Sequence, residues 1–126
     1  MLDDIKEDLR RAKEALESAE RNFKENDILT AANRTFVACE NSVYVLLKST
    51  FGSSSISRIK VLTKLKEINP VLKEIYDKSY DLRVQADYGR ESKYIPLTKE
   101  NLDKVMNDVK KQLDKINDLV NEKIKN

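Results

Sequence analysis

Residues 28–50 read ILTAANRTFVACENSVYVLLKST, and this segment carries more information about the architecture than any other part of the chain. Apolar residues recur every three or four positions, which is the spacing of one face of an α-helix. This apolar face consists of Leu29, Ala32, Phe36, Cys39, Val43 and Leu47. Further apolar residues cover much of the rest, and such a helix is central in a bundle or buried again at a second interface. We therefore expect a helix over about Ile28 to Thr50 with neighbours on several sides.

Three polar side chains interrupt this predicted helix. At about 100° per residue, Glu40 falls beside Phe36 and Val43, whereas Arg34 and Asn41 fall on the opposite side. A carboxylate on a core face needs a cation or hydrogen-bond donors, because burying an unpaired charge is costly. Glu40 and Arg34 are therefore candidate members of a binding site.

Amphipathic helices are predicted at both ends of the chain. Upstream, an apolar stripe steps by three or four residues from Leu2 to Phe23, and Asp27 then follows as the expected N-cap of the central helix. Downstream, Thr98 is expected to cap a last helix. The apolar stripe of this last helix comprises Leu102, Val105, Met106, Val109, Leu113, Ile116, Leu119, Val120 and Ile124.

Two further helices are expected in between, a short basic one over about Ile56 to Ile68 and a fourth from Pro70 to about Tyr88. Pro is favoured at the first helical position. The 126 residues include only 2 Gly and 2 Pro, so a fold with many turns is excluded. The sequence predicts an all-α fold, an up-down antiparallel bundle of four long helices plus one short helix, in a single domain over residues 1–126.

Charge and cysteine content exclude several classes of function. The net charge is +2, from 24 basic and 22 acidic residues, so the chain as a whole has no strongly basic field. One cysteine permits no internal disulfide, and without histidine a metal site is not expected, nor is any cofactor. No apolar run approaches the ~20 residues that span a bilayer. We expect a cytoplasmic protein that does not interact with membranes.

A second stripe on the fourth helix is aromatic and charged, and it lies beside the core stripe. It comprises Tyr76, Tyr80, Arg83 and Asp87, and Tyr88 follows directly. Two interpretations stay open. In the first, the tyrosines edge the core and Arg83 pairs with Asp87, an exposed pair that contributes about 0.3–0.5 kcal/mol. In the second, Arg83 lies in a cleft or subunit interface and binds a phosphate or an acid such as Glu40.

The serines of residues 53–55, with Arg58, Lys60 and Lys64, form another candidate surface. Hydroxyls and backbone amides at a helix start can hold a phosphate. The alternative is that these charges form a solvated face, and no aromatic residue is interleaved there for base stacking.

Three segments resemble the HEPN domain (higher eukaryotes and prokaryotes nucleotide-binding). One is the first helix running through Asn26-Asp27 into the second helix. Another is the run from Ala32 to Phe36 that leads to Leu46-Leu47, and the last is residues 82–89, LRVQADYG, followed by a loop and a long helix. The resemblance implies a helical bundle that is usually a homodimer. Many members are metal-independent ribonucleases of prokaryotic toxin–antitoxin and defence systems, and others are nucleotide-binding or accessory modules, often encoded beside a nucleotidyltransferase-type antitoxin.

The family's catalytic signature is an arginine followed, after four to six residues, by a histidine and often a tyrosine two residues further on. Arg83 matches the arginine, while Tyr88 and Arg90 occupy the histidine and tyrosine positions. RNA cleavage without a metal needs proton-transfer groups with a pKa near the working pH. A tyrosine with an ordinary pKa near 10 is a poor substitute, and the charge of Arg83 works against Asp87 as a base.

The resemblance and the residues together predict a HEPN-like toxin or accessory module that binds RNA or nucleotide. The expected partners are a second copy of the chain and a nucleotidyltransferase-type antitoxin. If the protein is a ribonuclease, its catalytic residues are Arg83, Asp87 and Tyr88. The expected ligand-binding residues are Arg34, Glu40, Tyr76, Tyr80 and Arg90. The alternative is a dimeric helical adaptor without ligand or turnover.

Overall fold

The central helix of the sequence is also the central helix of the structure. A computed structural model describes residues 2–52 and 58–125, and within these ranges all regular secondary structure is α-helical. The helices are α1 (Leu2–Lys24), α2 (Ile28–Phe51), α3 (Arg58–Ile68), α4 (Pro70–Tyr88) and α5 (Lys99–Lys125). They pack as a bundle, which confirms the predicted all-α fold. None of the helices in these ranges combines the length and apolarity needed to cross a membrane.

Helix α2 is covered on several sides, because it packs against each of the other four helices. Its buried positions lie all around the helix, including Ala38 on one side and Phe36 on another. Thr35 and Ser42 are buried in the same helix, and their hydroxyls donate to the carbonyl oxygens of Ala31 and Ala38, at 2.8 and 2.7 Å. These bonds satisfy the hydroxyls inside the core.

Cys39 lies in the same core and is fully buried. Burial raises the pKa of its thiol to about 12, because the thiolate is poorly solvated there. The sequence pattern places Cys39 on the apolar face of its helix, and the structure confirms that it packs in the core.

The helix ends follow the capping signals in the sequence. The Asp27 carboxylate accepts from the Thr30 backbone N–H at 3.1 Å, and Asn69 caps α4 through the Leu72 N–H at 3.0 Å. Gly52 and Gly89 end α2 and α4 with φ of 78° and 63°, a left-handed conformation that glycine adopts without strain. Residues 56 and 57, where the short basic helix is predicted to begin, lie outside the described ranges.

Three leucines of the predicted core stripes are instead about half exposed, namely Leu2, Leu29 and Leu119. Leu2 is the first residue of α1. Leu29 lies one turn before Asn33, the residue that contacts the end of α4, so it projects beyond the cover of that helix. At the level of Leu119 in α5, the neighbouring Val120 is the residue that is buried in the core. The helical period is right at these positions, but the neighbouring helices do not cover them.

A largely buried ion pair joins α1 to α2. The Lys48 ammonium donates to the Asp8 carboxylate at 2.6 Å, and the two side chains are 19% and 10% exposed. Removing either partner leaves a poorly solvated charge without its counter-ion, whereas removing both does not.

We expect Asp8→Ala and Lys48→Ala each to lower the free energy of unfolding by about 2–3 kcal/mol. The double substitution Asp8→Ala/Lys48→Ala should cost less than the sum of the single changes, because no charge is then left unpaired. Chemical denaturation of the four proteins measures this coupling, and additive costs would contradict it.

Candidate functional site

A polar network links the start of α2 to the end of α4. The side chain of Asn33 is at its centre, donating from Nδ2 to Asp87 Oδ2 at 2.9 Å. The same carboxylate oxygen accepts from Arg83 Nε at 3.2 Å. On its other side, Asn33 Oδ1 accepts from Nε and Nη2 of Arg34, at 3.1 and 2.7 Å. Two guanidinium groups therefore lie on either side of one amide and one carboxylate.

Arg83 is held in place but keeps donors available. Its Nε bonds to Asp87, and its guanidinium carbon lies 5.2 Å from the centre of the Phe36 ring, a cation–π contact. Its two Nη groups make no hydrogen bond to any residue that the structure describes. With a side chain 31% exposed, Arg83 presents a planar pair of N–H donors to solvent.

Arg34 has an unusual partner for an arginine. Its hydrogen bonds go to the neutral amide oxygen of Asn33, and no carboxylate among the described residues pairs with it. Its positive charge is therefore oriented without being neutralised.

Phe36 packs beneath the polar network, on the side of the hydrophobic core. Its ring is buried and meets the rings of Tyr76 and Tyr80 edge to face, with centroids 5.3 and 5.4 Å apart. Such aromatic pairs contribute about 0.5–1.5 kcal/mol beyond their buried area. The aromatic cluster therefore fixes α2 and α4 at the point where the network crosses between them.

The loop after α4 is held by two side chains of that helix. Asp81 is buried, and its carboxylate accepts from the backbone N–H groups of Lys93, Tyr94 and Ile95 at 2.9–3.1 Å. One turn later, Gln85 donates to the Ile95 carbonyl oxygen and accepts from the Leu97 N–H, both at 2.9 Å. A loop without helix or strand is thus bound to α4 through its backbone.

This loop forms one wall of a groove of about 480 Å³, with α3 and α4 as the other walls. Tyr76 and Tyr80 line it, and Arg90 and Lys93 reach it from the loop. The tyrosines thus face both Phe36 and this groove.

A model of the HEPN domain matches residues 5–119, nearly the whole length of the bundle. The chain belongs to the HEPN domain family. Membership associates it with nucleotide- or RNA-related functions, which in this family are often toxin-like. A comparison with curated proteins finds no match.

Six of the eight residues predicted for the site fall in two neighbouring places in this HEPN domain. Arg83, Asp87 and Arg34 belong to the network between α2 and α4. Tyr76, Tyr80 and Arg90 line the groove beside the loop.

Tyr88 is 65% exposed, with the Arg90 guanidinium carbon 5.7 Å from its ring centre, and Glu40 lies half-buried midway along α2. Arg83 binds the carboxylate four residues further along its own helix. Of the candidate phosphate surface near α3, the serines 53–55 and the side chain of Arg58 lie outside the described part of the chain.

Sequence patterns alone miss the roles of two residues in this region. Asn33 lies within the run from Ala32 to Phe36, and the sequence predicts no role for its side chain. Asp77 and Asp81 lie four residues apart on α4, but Asp77 pairs with Lys73 whereas Asp81 binds the backbone of the following loop. The partners of Asp81 are backbone N–H groups of the loop, and a pattern of side-chain types does not indicate which backbone groups a carboxylate will bind.

Asp81 gives the anchoring of the loop a dependence on pH. Burial raises the pKa of its carboxyl, but the hydrogen bonds from three backbone N–H groups outweigh burial and hold the pKa below its usual value of 3.8. A carboxyl with a lowered pKa in the folded state stabilises the fold above its unfolded pKa, near 4, and this contribution is lost as the pH falls through the folded value.

We expect Asp81→Asn to lower the free energy of unfolding by about 1–3 kcal/mol at neutral pH. The difference from wild type should shrink as the pH falls below about 4, where the wild-type carboxyl also becomes protonated. Denaturation at a series of pH values measures this, with Asp114→Asn, an exposed carboxyl on α5, as the matched control. A difference from wild type that stays constant with pH would contradict the role of Asp81.

Proposed function

We propose that this HEPN domain binds RNA or nucleotides through their phosphate groups at the network of Arg83, Asp87, Asn33 and Arg34. The observation that carries the proposal is the way in which the Arg83 guanidinium is held. Asp87 and Phe36 hold its guanidinium, and its Nη groups remain available. A guanidinium with two parallel N–H donors matches the geometry of phosphate oxygens, and prior orientation reduces the entropy cost of binding.

Binding is proposed here rather than cleavage. Cleavage needs one group to accept the proton of the 2′-hydroxyl and another to protonate the leaving oxygen. The carboxylate in the network, Asp87, is engaged by Arg83 and Asn33, and the histidine position of the family's signature holds Tyr88. The network therefore offers N–H donors that can bind phosphate oxygens, but no pair of groups suited to transferring protons.

The cellular role that we propose for the domain is that of a toxin or accessory module in a prokaryotic toxin–antitoxin or defence-type system. A nucleotidyltransferase-type antitoxin is the proposed partner. The support for both is family membership, since HEPN domains often have toxin-like functions.

We expect Arg83→Gln to weaken binding of single-stranded RNA about tenfold, since a hydrogen bond to a charged group contributes roughly 1.5 kcal/mol. Fluorescence anisotropy with labelled RNA measures this at two salt concentrations. The slope of log Kd against log salt should also fall, by about 0.7 for each phosphate that the variant no longer neutralises.

Lys115→Gln is the control, because it removes one positive charge from an exposed position on α5. Equal affinities for the two variants would rule out Arg83 as a phosphate ligand. No binding by wild type at low salt would favour the adaptor without ligand. The same proteins are incubated with RNA in EDTA, where cleavage by wild type that Arg83→Gln abolishes would contradict binding without turnover.

The protein is also proposed to be a homodimer, formed through the polar faces of α2 and α4. The support is the position of the network at the crossing of these helices, together with the usual dimeric state of the family. Light scattering should then report twice the 14.6 kDa of one chain at micromolar concentration. A mass of one chain at that concentration would contradict the dimer.

A further inference from the structure

A second groove, of about 430 Å³, runs along the outer surface between α1 and α2. Its floor is small and aliphatic, with Ala15 from α1 and Val37 from α2. Its rim carries three arginines, Arg11 and Arg21 from α1 and Arg34 from α2. Arg11 and Arg21 are ten residues apart on one helix, which is about 15 Å along its axis.

The charges around this groove are unbalanced. Glu14 is the one acidic residue among the described residues that line it, and its carboxylate accepts from Arg10 at 2.6 Å. The side chain of Arg21 makes no hydrogen bond or ion pair with the described residues. Arg34 bonds to a neutral amide. An excess of positive charge at oriented or available guanidinium groups favours an anionic ligand.

The groove is continuous with the network at the end of α4, because Arg34 belongs to both. Asn33 and Arg34 lie side by side on α2, between Arg83 of α4 and Arg21 of α1. A row of guanidinium groups thus crosses three helices at one end of the bundle, although the arginines are far apart in the sequence.

We propose that this groove extends the phosphate-binding surface and takes the sugar-phosphate backbone of single-stranded RNA, with Arg21 and Arg11 as backbone ligands. This inference rests on the proposed function, since it assumes that one phosphate sits at Arg83. No aromatic side chain among the described residues lines the groove, so stacking of bases is not expected there. Contacts to phosphates position a nucleic acid without reading its sequence, and binding in the groove is therefore tolerant of sequence.

The test compares two ligands that differ in length, uridine monophosphate and a single-stranded oligouridylate of about twelve nucleotides. Arg21→Gln should weaken binding of the oligonucleotide about fivefold and lower its salt slope by about 0.7. It should leave the affinity for the mononucleotide unchanged, because one phosphate occupies Arg83 alone. Arg11→Gln should act in the same direction with a smaller effect, because Arg11 Nε also bonds to Glu7 at 3.3 Å.

Lys115→Gln again serves as the control, because α5 contributes no described residue to the groove. If Arg21→Gln and Arg11→Gln bind the oligonucleotide like this control while Arg83→Gln weakens it, the groove proposal is overturned and the proposed function stands. If the groove variants lose affinity and Arg83→Gln does not, the groove arginines are backbone ligands, but the assignment of Arg83 and the extension of the surface from it are overturned. If wild type binds no RNA at low salt, both proposals are overturned, and an acidic protein surface becomes the better match for these arginines.

Discussion

The burial of α2 on several sides is the constraint on which the rest of this structure depends. Alanine, cysteine and serine at its contact positions let neighbouring helices approach closely, and its buried hydroxyls bond back to their own helix. A helix fixed in this way has few positions left for function. Its second turn lies beside the last turn of α4, and there the side chains of Asn33 and Arg34 are partly exposed to solvent.

The same packing explains why Arg83 is held by contacts on two sides although it lies near the surface. Phe36 belongs to the buried face of α2, and its ring contacts both the guanidinium and, in edge-to-face arrangements, two tyrosines. Asp87 completes the arrangement and places one negative charge beside the proposed phosphate site. The contact with Asp87 thus holds the Arg83 guanidinium in place but lowers the net positive potential at the proposed phosphate site. The uncompensated charges of Arg34 and Arg21 raise that potential again.

The features that the sequence predicts well are local. Helix positions follow from apolar stripes, and their ends follow from Asp27, Asn69 and Gly89, because capping involves residues within one turn. The contact between Asn33 and Asp87 joins residues 54 positions apart, and it depends on how two helices cross. No periodicity in either helix contains that information. The exposure of Leu119 has the same origin, since a stripe shows which face is apolar and not whether a neighbour covers it.

The polar network contains one residue that the family pattern indicates and one that it does not. Residues 82–89 resemble the family pattern at Arg83, and the helix places that arginine beside Asp87 through i,i+4 geometry. The role of Asn33 becomes visible only when the bundle is assembled.

The burial of Cys39 has a practical consequence. A sulfur enclosed on all sides, with an acidity far below that of a free thiol, is protected from alkylating reagents for as long as the helices stay together. Because the chain has no other cysteine, labelling of the protein by such a reagent reports only those openings of the interior that expose this one residue.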